Sequence, residues 1–343
     1  MSRTRWVDTA GMPLRTRMLC YSLRLVAGKP ISERTDEDIA ADRSNSPAPR
    51  FPVTLITGKV WRDVFRFEQD IPMRDGVTIT ARIHRPAHVG ASTPVLVYYH
   101  GGGWVMGRPL DYESMLTQIV HELGVVVVAP DYRKAPQAKA PAAVHDAVDT
   151  LTWVASAPSE LGTRPAGIAV GGDSAGGNLA ALVAIAARDE DCPDLAGQVL
   201  IYPATDLSLE HPMRTAPMLD GPSMDTFKEL YLGGSGVPAD DPRVSPMRAA
   251  SHEHLAPALV QTAELDPLRP EGEAYAEVLR AAGVPVRLTR WRGVPHGFVN
   301  IPGATHVGMQ ARYEIIDQLR SWLCGDETAT PNAAAGAPLE SRG

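Results

Sequence analysis

Between a short apolar run, Gly167-Ile168-Ala169-Val170, and an Ala- and Leu-rich stretch from Asn178 to Asp191 stands Gly172-Asp173-Ser174-Ala175-Gly176-Gly177. This G-x-S-x-G pentapeptide constrains the fold more than any other feature of the chain. The run before it reads as a buried strand. After it, Leu179, Leu182, Val183 and Ala186 recur at helical spacing. The expectation is strand, sharp turn, helix, with Ser174 at the turn in a strained backbone conformation. Side chains two residues away on either side would collide there, so Gly172 and Gly176 fit.

A second glycine-rich run, His100-Gly101-Gly102-Gly103-Trp104, stands upstream. A serine hydroxyl is a poor nucleophile at neutral pH and needs a base within hydrogen-bond reach. The carbonyl oxygen it attacks becomes an anion and must meet preorganised N–H donors. Glycines let a loop come close to the reacting carbon and aim its N–H groups inward. The two runs, in this order, point to acyl transfer by a serine nucleophile on an α/β-hydrolase scaffold.

The 343 residues suit one large α/β domain with an accessory piece. The net charge of −7 argues against a nucleic-acid partner. Cys20, Cys192 and Cys324 are far apart and odd in number, which suggests neither a disulfide framework nor a zinc site but reduced thiols in the cytoplasm. No apolar run approaches the length of a membrane span, so no integral membrane contact is expected. Arg3, Arg5, Arg15 and Arg17 precede Met18-Leu19-Cys20-Tyr21-Ser22-Leu23, and Arg24 interrupts the continuation. This is too short for a secretory signal and reads as an amphipathic helix suited to peripheral contact with a membrane surface or a greasy substrate.

Residues 1–50 read as an N-terminal cap segment of helix and loop, with a Pro- and Ser-rich linker over 44–52. Strands are expected near Val60–Glu68 and Val77–His84, joined by a turn at Met73-Arg74-Asp75-Gly76, and then over Pro94–Tyr99. Asp111 is placed to cap a helix closed by Gly124. Val125–Ala129 reads as a fully buried strand, and Val144 to Val154 as an amphipathic helix. The elbow strand and helix follow, then a strand over Gln198–Tyr202. Residues 205–240, with Pro212, Pro217 and Pro222, break the rhythm and read as a cap insertion. The rhythm resumes with a strand at Ala258–Ala263, a helix at Glu271–Ala282, a strand at Val286–Trp291 and a last helix bearing Tyr313, Ile316, Leu319 and Leu323. The core thus covers 51–204 and 241–324, and 325–343 reads as a disordered tail. The alternation implies a mostly parallel central sheet with helices on both faces and a helical cap.

In this fold the catalytic residues follow in chain order Ser, acid, His. Asp266 follows one late strand, and His296 follows another within Val294-Pro295-His296-Gly297-Phe298. His296 is expected to take the Ser174 proton and then protonate the leaving alcohol, while Asp266 fixes the imidazole tautomer. Glu264 is a rival acid, disfavoured because it lies inside the strand.

The chain resembles the hormone-sensitive lipase family of bacterial carboxylesterases. The matching pieces are His100–Trp104, Asp131-Tyr132-Arg133 with Ala135-Pro136, Pro141-Ala142-Ala143, Gly172–Gly177, Tyr202-Pro203, Asp240-Asp241-Pro242 with Ser245-Pro246, Asp266-Pro267-Leu268-Arg269 with Gly272, and His296-Gly297-Phe298. The resemblance implies a triad of Ser174, Asp266 and His296, and oxyanion donors from the N–H groups of Gly102, Gly103 and Ala175. It implies a cap made of the N-terminal segment and the insertion, and permits a homodimer through an edge strand. Pro270, Gln137 and Ala140 depart from the family's usual acidic residue, glutamate and aromatic at those places.

Several residues have quieter readings. His100 is expected to brace the oxyanion loop. His252-Glu253-His254 has no third ligand nearby and reads as surface histidines rather than a metal site. Asp131, Tyr132 and Arg133 read as a structural hydrogen-bond and ion-pair cluster. Trp104, Met106 and Phe298 are candidates for the substrate pocket, with core packing as the other option for each. The sequence therefore points to a serine carboxylesterase acting on small-molecule esters of short to medium acyl chains, with no cofactor and no metal. An amidase or deacetylase on the same residues, and a non-catalytic small-molecule receptor of the same fold, are the alternatives.

Overall fold

A computed structural model of the chain describes residues 11–26, 29–45, 50–190 and 192–325. Arg3 and Arg5, residues 46–49 of the Pro- and Ser-rich stretch, and the tail beyond Gly325 lie outside the described residues.

The order of elements is α1 (Leu14–Val26), α2 (Asp36–Ser44), α3 (Thr54–Thr57), β1 (Val64–Pro72), β2 (Thr78–Pro86), β3 (Ser92–Tyr99), α4 (Glu113–Leu123), β4 (Val126–Pro130) and α5 (Ala142–Ala155). Then come β5 (Arg164–Asp173), α6 (Ala175–Asp189), β6 (Leu195–Ile201), α7 (Gly221–Leu232), β7 (Ala258–Leu265), α8 (Arg269–Ala281), β8 (Val286–Pro295) and α9 (Gly308–Leu323). All eight strands join one sheet, ordered β1-β2-β4-β3-β5-β6-β7-β8. β3 to β8 run parallel to one another, and β2 runs antiparallel to both β1 and β4.

Period-two alternation sorts the strand side chains between two helical layers. Val95, Val97 and Tyr99 of β3 join Leu151 of α5, Leu179 and Val183 of α6 and Leu279 of α8 on one face. Leu96 and Tyr98 join Met115 and Ile119 of α4 and Ile315 and Leu319 of α9 on the other. Each such side chain contributes about 1.5–3 kcal/mol on burial. The turn between β1 and β2 falls on the expected residues: Gly76, at φ +82°, donates to Met73 O at 3.0 Å.

One expectation needs correction. Asp111 does not cap α4. Pro109–Tyr112 form a 3₁₀ turn, Asp111 accepts from the Arg108 N–H at 3.1 Å, and Tyr112 is the residue before α4. Between β6 and β7, which starts at the expected Ala258, the chain forms no strand and holds α7 and a 3₁₀ turn at Pro246–Arg248. The reason is local: Asp241, Ser245 and His252 satisfy loop backbone groups with their side chains, so no ladder is needed. No helix among the described residues is long and apolar enough to cross a membrane. On α1, Thr16 and Cys20 are buried whereas Leu14, Met18 and Tyr21 are exposed.

Candidate active site

Parallel strands deliver their C-terminal ends to one edge of a sheet, where open α/β folds bind ligands. β5 ends at Asp173, and the next residue turns the chain into α6. Ser174 sits at φ 56° and ψ −119°, a region that non-glycine residues occupy only under constraint. That constraint is supplied by the Ser174 N–H, which donates to Ile201 O at 2.8 Å, and by close backbone packing. A Cβ on Gly176 would overlap Tyr99 O and His100 O, so the elbow and the end of β3 meet only because that side chain is absent.

Asp266 lies in the loop after β7 and His296 in the loop after β8. The structure brings both to Ser174. His296 Nε2 is 2.9 Å from Ser174 Oγ, and His296 Nδ1 is 2.7 Å from Asp266 Oδ2. Asp266 is fully buried, and its Oδ1 accepts the Leu268 N–H at 2.9 Å, so the carboxylate has one oxygen tied to its loop and one to the imidazole. The Tyr202 ring packs against His296 with centroids 4.6 Å apart, which restricts the imidazole further. Glu264, the rival acid, instead accepts the Gly293 N–H at 2.7 Å.

The run from His100 to Met106 lies beside the elbow. Gly103 adopts φ +62° and a Cβ there would strike the Phe227 ring. Gly103, Ser174 and Ala175 border the same cavity. Ala175 opens α6, so its N–H is one of the donors that a helix start leaves without an internal partner. Gly102, at φ +123°, accepts at its carbonyl from the Met106 N–H at 2.7 Å, curling the loop on itself. His100 is buried; its Nδ1 is 2.8 Å from Gly101 O, its ring stacks on Tyr132, and the Tyr132 hydroxyl donates to His100 O at 2.8 Å. Arg133 grips Asp146 with both arms of its guanidinium and reaches Asp75 at 2.6 Å, a scaffold cluster away from the cavity.

The cavity holds about 380 Å³, the lower part of the range for small-molecule sites. Trp104 lines it and stacks on Tyr231. Met106 and Phe298 are not among the lining residues. Met106 packs against the core, and Phe298 is fully buried between Tyr202 and Trp291. α7 supplies Met224 and Phe227, and Leu219 precedes it. His252 is not a surface histidine: it is buried with Nε2 2.9 Å from Pro246 O. No cluster of three potential metal ligands occurs among the described residues.

Three contributors escaped the sequence reading. Asp173, fully enclosed beside Ser174, accepts from the Tyr98 and Tyr112 hydroxyls, the Asn300 amide and the Gly101 N–H at 2.9–3.2 Å, and so ties the elbow to the oxyanion loop. Burial pushes its carboxyl above the ordinary value even with these donors. Arg43 of α2 donates to Val105 O at 2.6 Å and to Ala135 O, clamping that loop from outside. Glu271, buried at the first turn of α8, also lines the cavity. An aspartate inside the pentapeptide and an arginine on a polar helix carry no spacing signal; only the first lay next to a residue already singled out.

Known proteins share this fold. A family profile described as an alpha/beta hydrolase fold matches residues 96–300. The carboxylic ester hydrolase LipN of Mycobacterium tuberculosis is 38% identical over 304 residues, 84% of this chain and 77% of that protein. The ethyl acetate hydrolase of Pseudomonas putida is 35% identical over 78% of this chain and 86% of its own length. Among solved structures, a thermostable esterase from Pseudomonas putida ECU1011 superposes with a TM-score of 0.81 at 30% identity, covering 92% of this chain and 99% of that one. A hyperthermophilic esterase from Pyrobaculum calidifontis does so with 0.77 at 35% identity, covering 91% and 98%. With the fold, the strand-end site and these relatives in agreement, the chain belongs to the hormone-sensitive lipase family of α/β-hydrolase carboxylesterases.

Proposed function

We propose that this protein is a serine carboxylesterase that hydrolyses small esters of short to medium acyl chains through an acyl-enzyme. The observation that carries the reading is the unbroken hydrogen-bonded line from Ser174 Oγ through His296 to Asp266. His296 Nε2 accepts the Ser174 proton as Oγ forms a bond to the ester carbon. The carbonyl π-electrons move onto oxygen, and the N–H groups of Gly102, Gly103 and Ala175 receive that charge. Collapse of the tetrahedral intermediate breaks the bond to the alcohol oxygen, which leaves with the proton from His296. Water then repeats the sequence on the acyl-Ser174 ester, releasing the acid and restoring the hydroxyl. Asp266 accepts the hydrogen bond of His296 Nδ1 and stabilises the imidazolium of both steps.

A cavity of about 380 Å³ lined by Trp104, Leu219, Met224 and Phe227 supports short to medium acyl chains, and the ethyl acetate hydrolase of Pseudomonas putida fits that size. In this reading α7 and its flanking chain serve as the cap, together with the N-terminal helices. Ser174→Ala tests the assignment. Hydrolysis of a chromogenic butyrate ester should drop by roughly 10⁴-fold or more while the thermal melt is retained. Turnover near the parent level in that variant overturns the proposal.

A further inference from the structure

The cavity wall facing the elbow carries two groups that ester hydrolysis does not use. Glu271 is only 2% exposed, and it lines the cavity with His211 from the chain before α7. One of its oxygens, Oε1, accepts the Thr205 N–H at 2.6 Å and so holds the segment leaving β6. The other, Oε2, is buried and accepts no hydrogen bond. His211 Nε2 stands 3.3 Å away without hydrogen-bond alignment. An unmatched buried polar atom costs roughly 1–3 kcal/mol. A pocket meant only for alkyl chains has no use for one, and such an orphan calls for a partner that arrives with the ligand.

The chemistry of the two groups defines that partner. Burial pushes the Glu271 carboxyl well above its ordinary value and the His211 imidazole below its own, so each favours the neutral form. A neutral carboxyl beside a neutral imidazole presents both a donor and an acceptor. A hydroxyl, which also does both, is the matching group. The charged groups of the same lining are of both signs, with Arg214 paired to Asp225 and Arg248 to Asp206, so they select no charged substituent.

The position assigns the arm of the ester. Gly103, Ser174 and Ala175 border the cavity, whereas His296, which hands its proton to the leaving alcohol, is not among the described lining residues. The cavity is assigned to the arm that remains on Ser174, and an ethylene glycol ester tests that assignment. We propose that Glu271 and His211 form a specificity site for a hydroxyl on the acyl chain, so that the preferred substrates are esters of short hydroxy acids. The proposal rests on the serine-esterase reading above.

The test compares ethyl butyrate with the ethyl esters of α-, β- and γ-hydroxybutyrate, followed by base uptake in a pH-stat. The monobutyrate of ethylene glycol places a hydroxyl on the alcohol arm instead. The best hydroxyacyl ester should exceed ethyl butyrate in kcat/KM by about tenfold, the yield of one well-placed hydrogen bond. Glu271→Gln, which keeps an oxygen for the Thr205 N–H, should bring that ratio to near unity. His211→Leu, which leaves the Thr205 contact untouched, should do the same and serves if the Glu271 variant does not fold. The glycol ester should show no preference. Equal kcat/KM across the acyl series, a preference that survives both substitutions, or a preference confined to the glycol ester overturns the specificity site while leaving the esterase reading intact. Turnover that persists in Ser174→Ala sinks both.

Discussion

Two buried carboxyls flank the reacting centre, and their surroundings differ in kind. Asp173 joins the elbow to the oxyanion loop, and each of its oxygens is met: Tyr98 and Gly101 on Oδ1, Tyr112 and Asn300 on Oδ2. Glu271 faces the substrate cavity with one oxygen met and one bare. Burial raises both above their ordinary values. The same penalty thus has two outcomes. Where the carboxyl belongs to the scaffold, a closed set of donors offsets the cost and fixes backbone geometry. Where it belongs to the cavity wall, an open valence is left for something that comes and goes.

The sharpest way to break this contrast is to remove the scaffold acid. Asp173→Ala removes the acceptor of the Tyr98, Tyr112 and Tyr202 hydroxyls and the Asn300 amide, and should cost about 3 kcal/mol or more of stability in urea titration. Turnover should fall with it. A loss below about 1 kcal/mol would mean that the network is dispensable.

A third buried acid, Glu113 of α4, supplies the reverse sign. Burial again pushes upward, but the hydrogen bond and charge of His84 and the ion pair with Arg82 outweigh it, holding the carboxyl at about 2 against an ordinary 4.5. The folded state then releases this proton more readily than the unfolded chain. Its stabilisation is complete above pH 4.5 and is lost as pH falls from 4.5 toward about 2, on the order of 3 kcal/mol in all. Urea midpoints of Glu113→Gln across that window should show a shallower acid decline than the parent protein. Equal slopes would remove Glu113 from the acid response.

Glu271 should behave oppositely and more weakly. Its folded form keeps the proton above pH 4.5, where the unfolded chain has released it, so its contribution declines as pH rises from 4.5. Glu271→Gln should flatten that decline, read as the difference in urea midpoint between the two proteins from pH 5 to 8 (roughly the span over which a raised carboxyl titrates). An unchanged slope would mean that the carboxyl is already ionised in the folded protein, and the contrast with Asp173 would lose its basis.

Much of the fold was legible because its signals are local. Val125 to Val128 read as a buried strand from composition, and β4 is buried along its whole length. Gly172 and Gly176 marked the elbow because close backbone approach leaves no room for a side chain, whatever surrounds the turn. Asp266 was separable from Glu264 by position alone: one follows its strand and the other sits within it. The misplaced features lack such local signals. Asp111 looked like a helix cap, yet Pro109 and the 3₁₀ turn shifted the start of α4 to Glu113. Met106 and Phe298 sit next to the reacting loops in the chain, but neighbours in a strand or turn point in different directions. Both turned toward the core.

By itself, then, the sequence determined the alternation of strands and helices, the place of the serine turn, and the positions of Asp266 and His296 after two later strands. Backbone sterics and hydrophobic period act over a few residues and are written locally. Only the tertiary structure decided which groups meet across long stretches of chain. Asp173 finds Tyr98 and Asn300, Arg43 reaches the oxyanion loop from a distant helix, and His211 comes to rest near a glutamate whose second oxygen stays bare. Those meetings depend on how layers pack and where an irregular segment lies, and hydrogen-bond partnership between distant residues leaves no periodic trace in either partner.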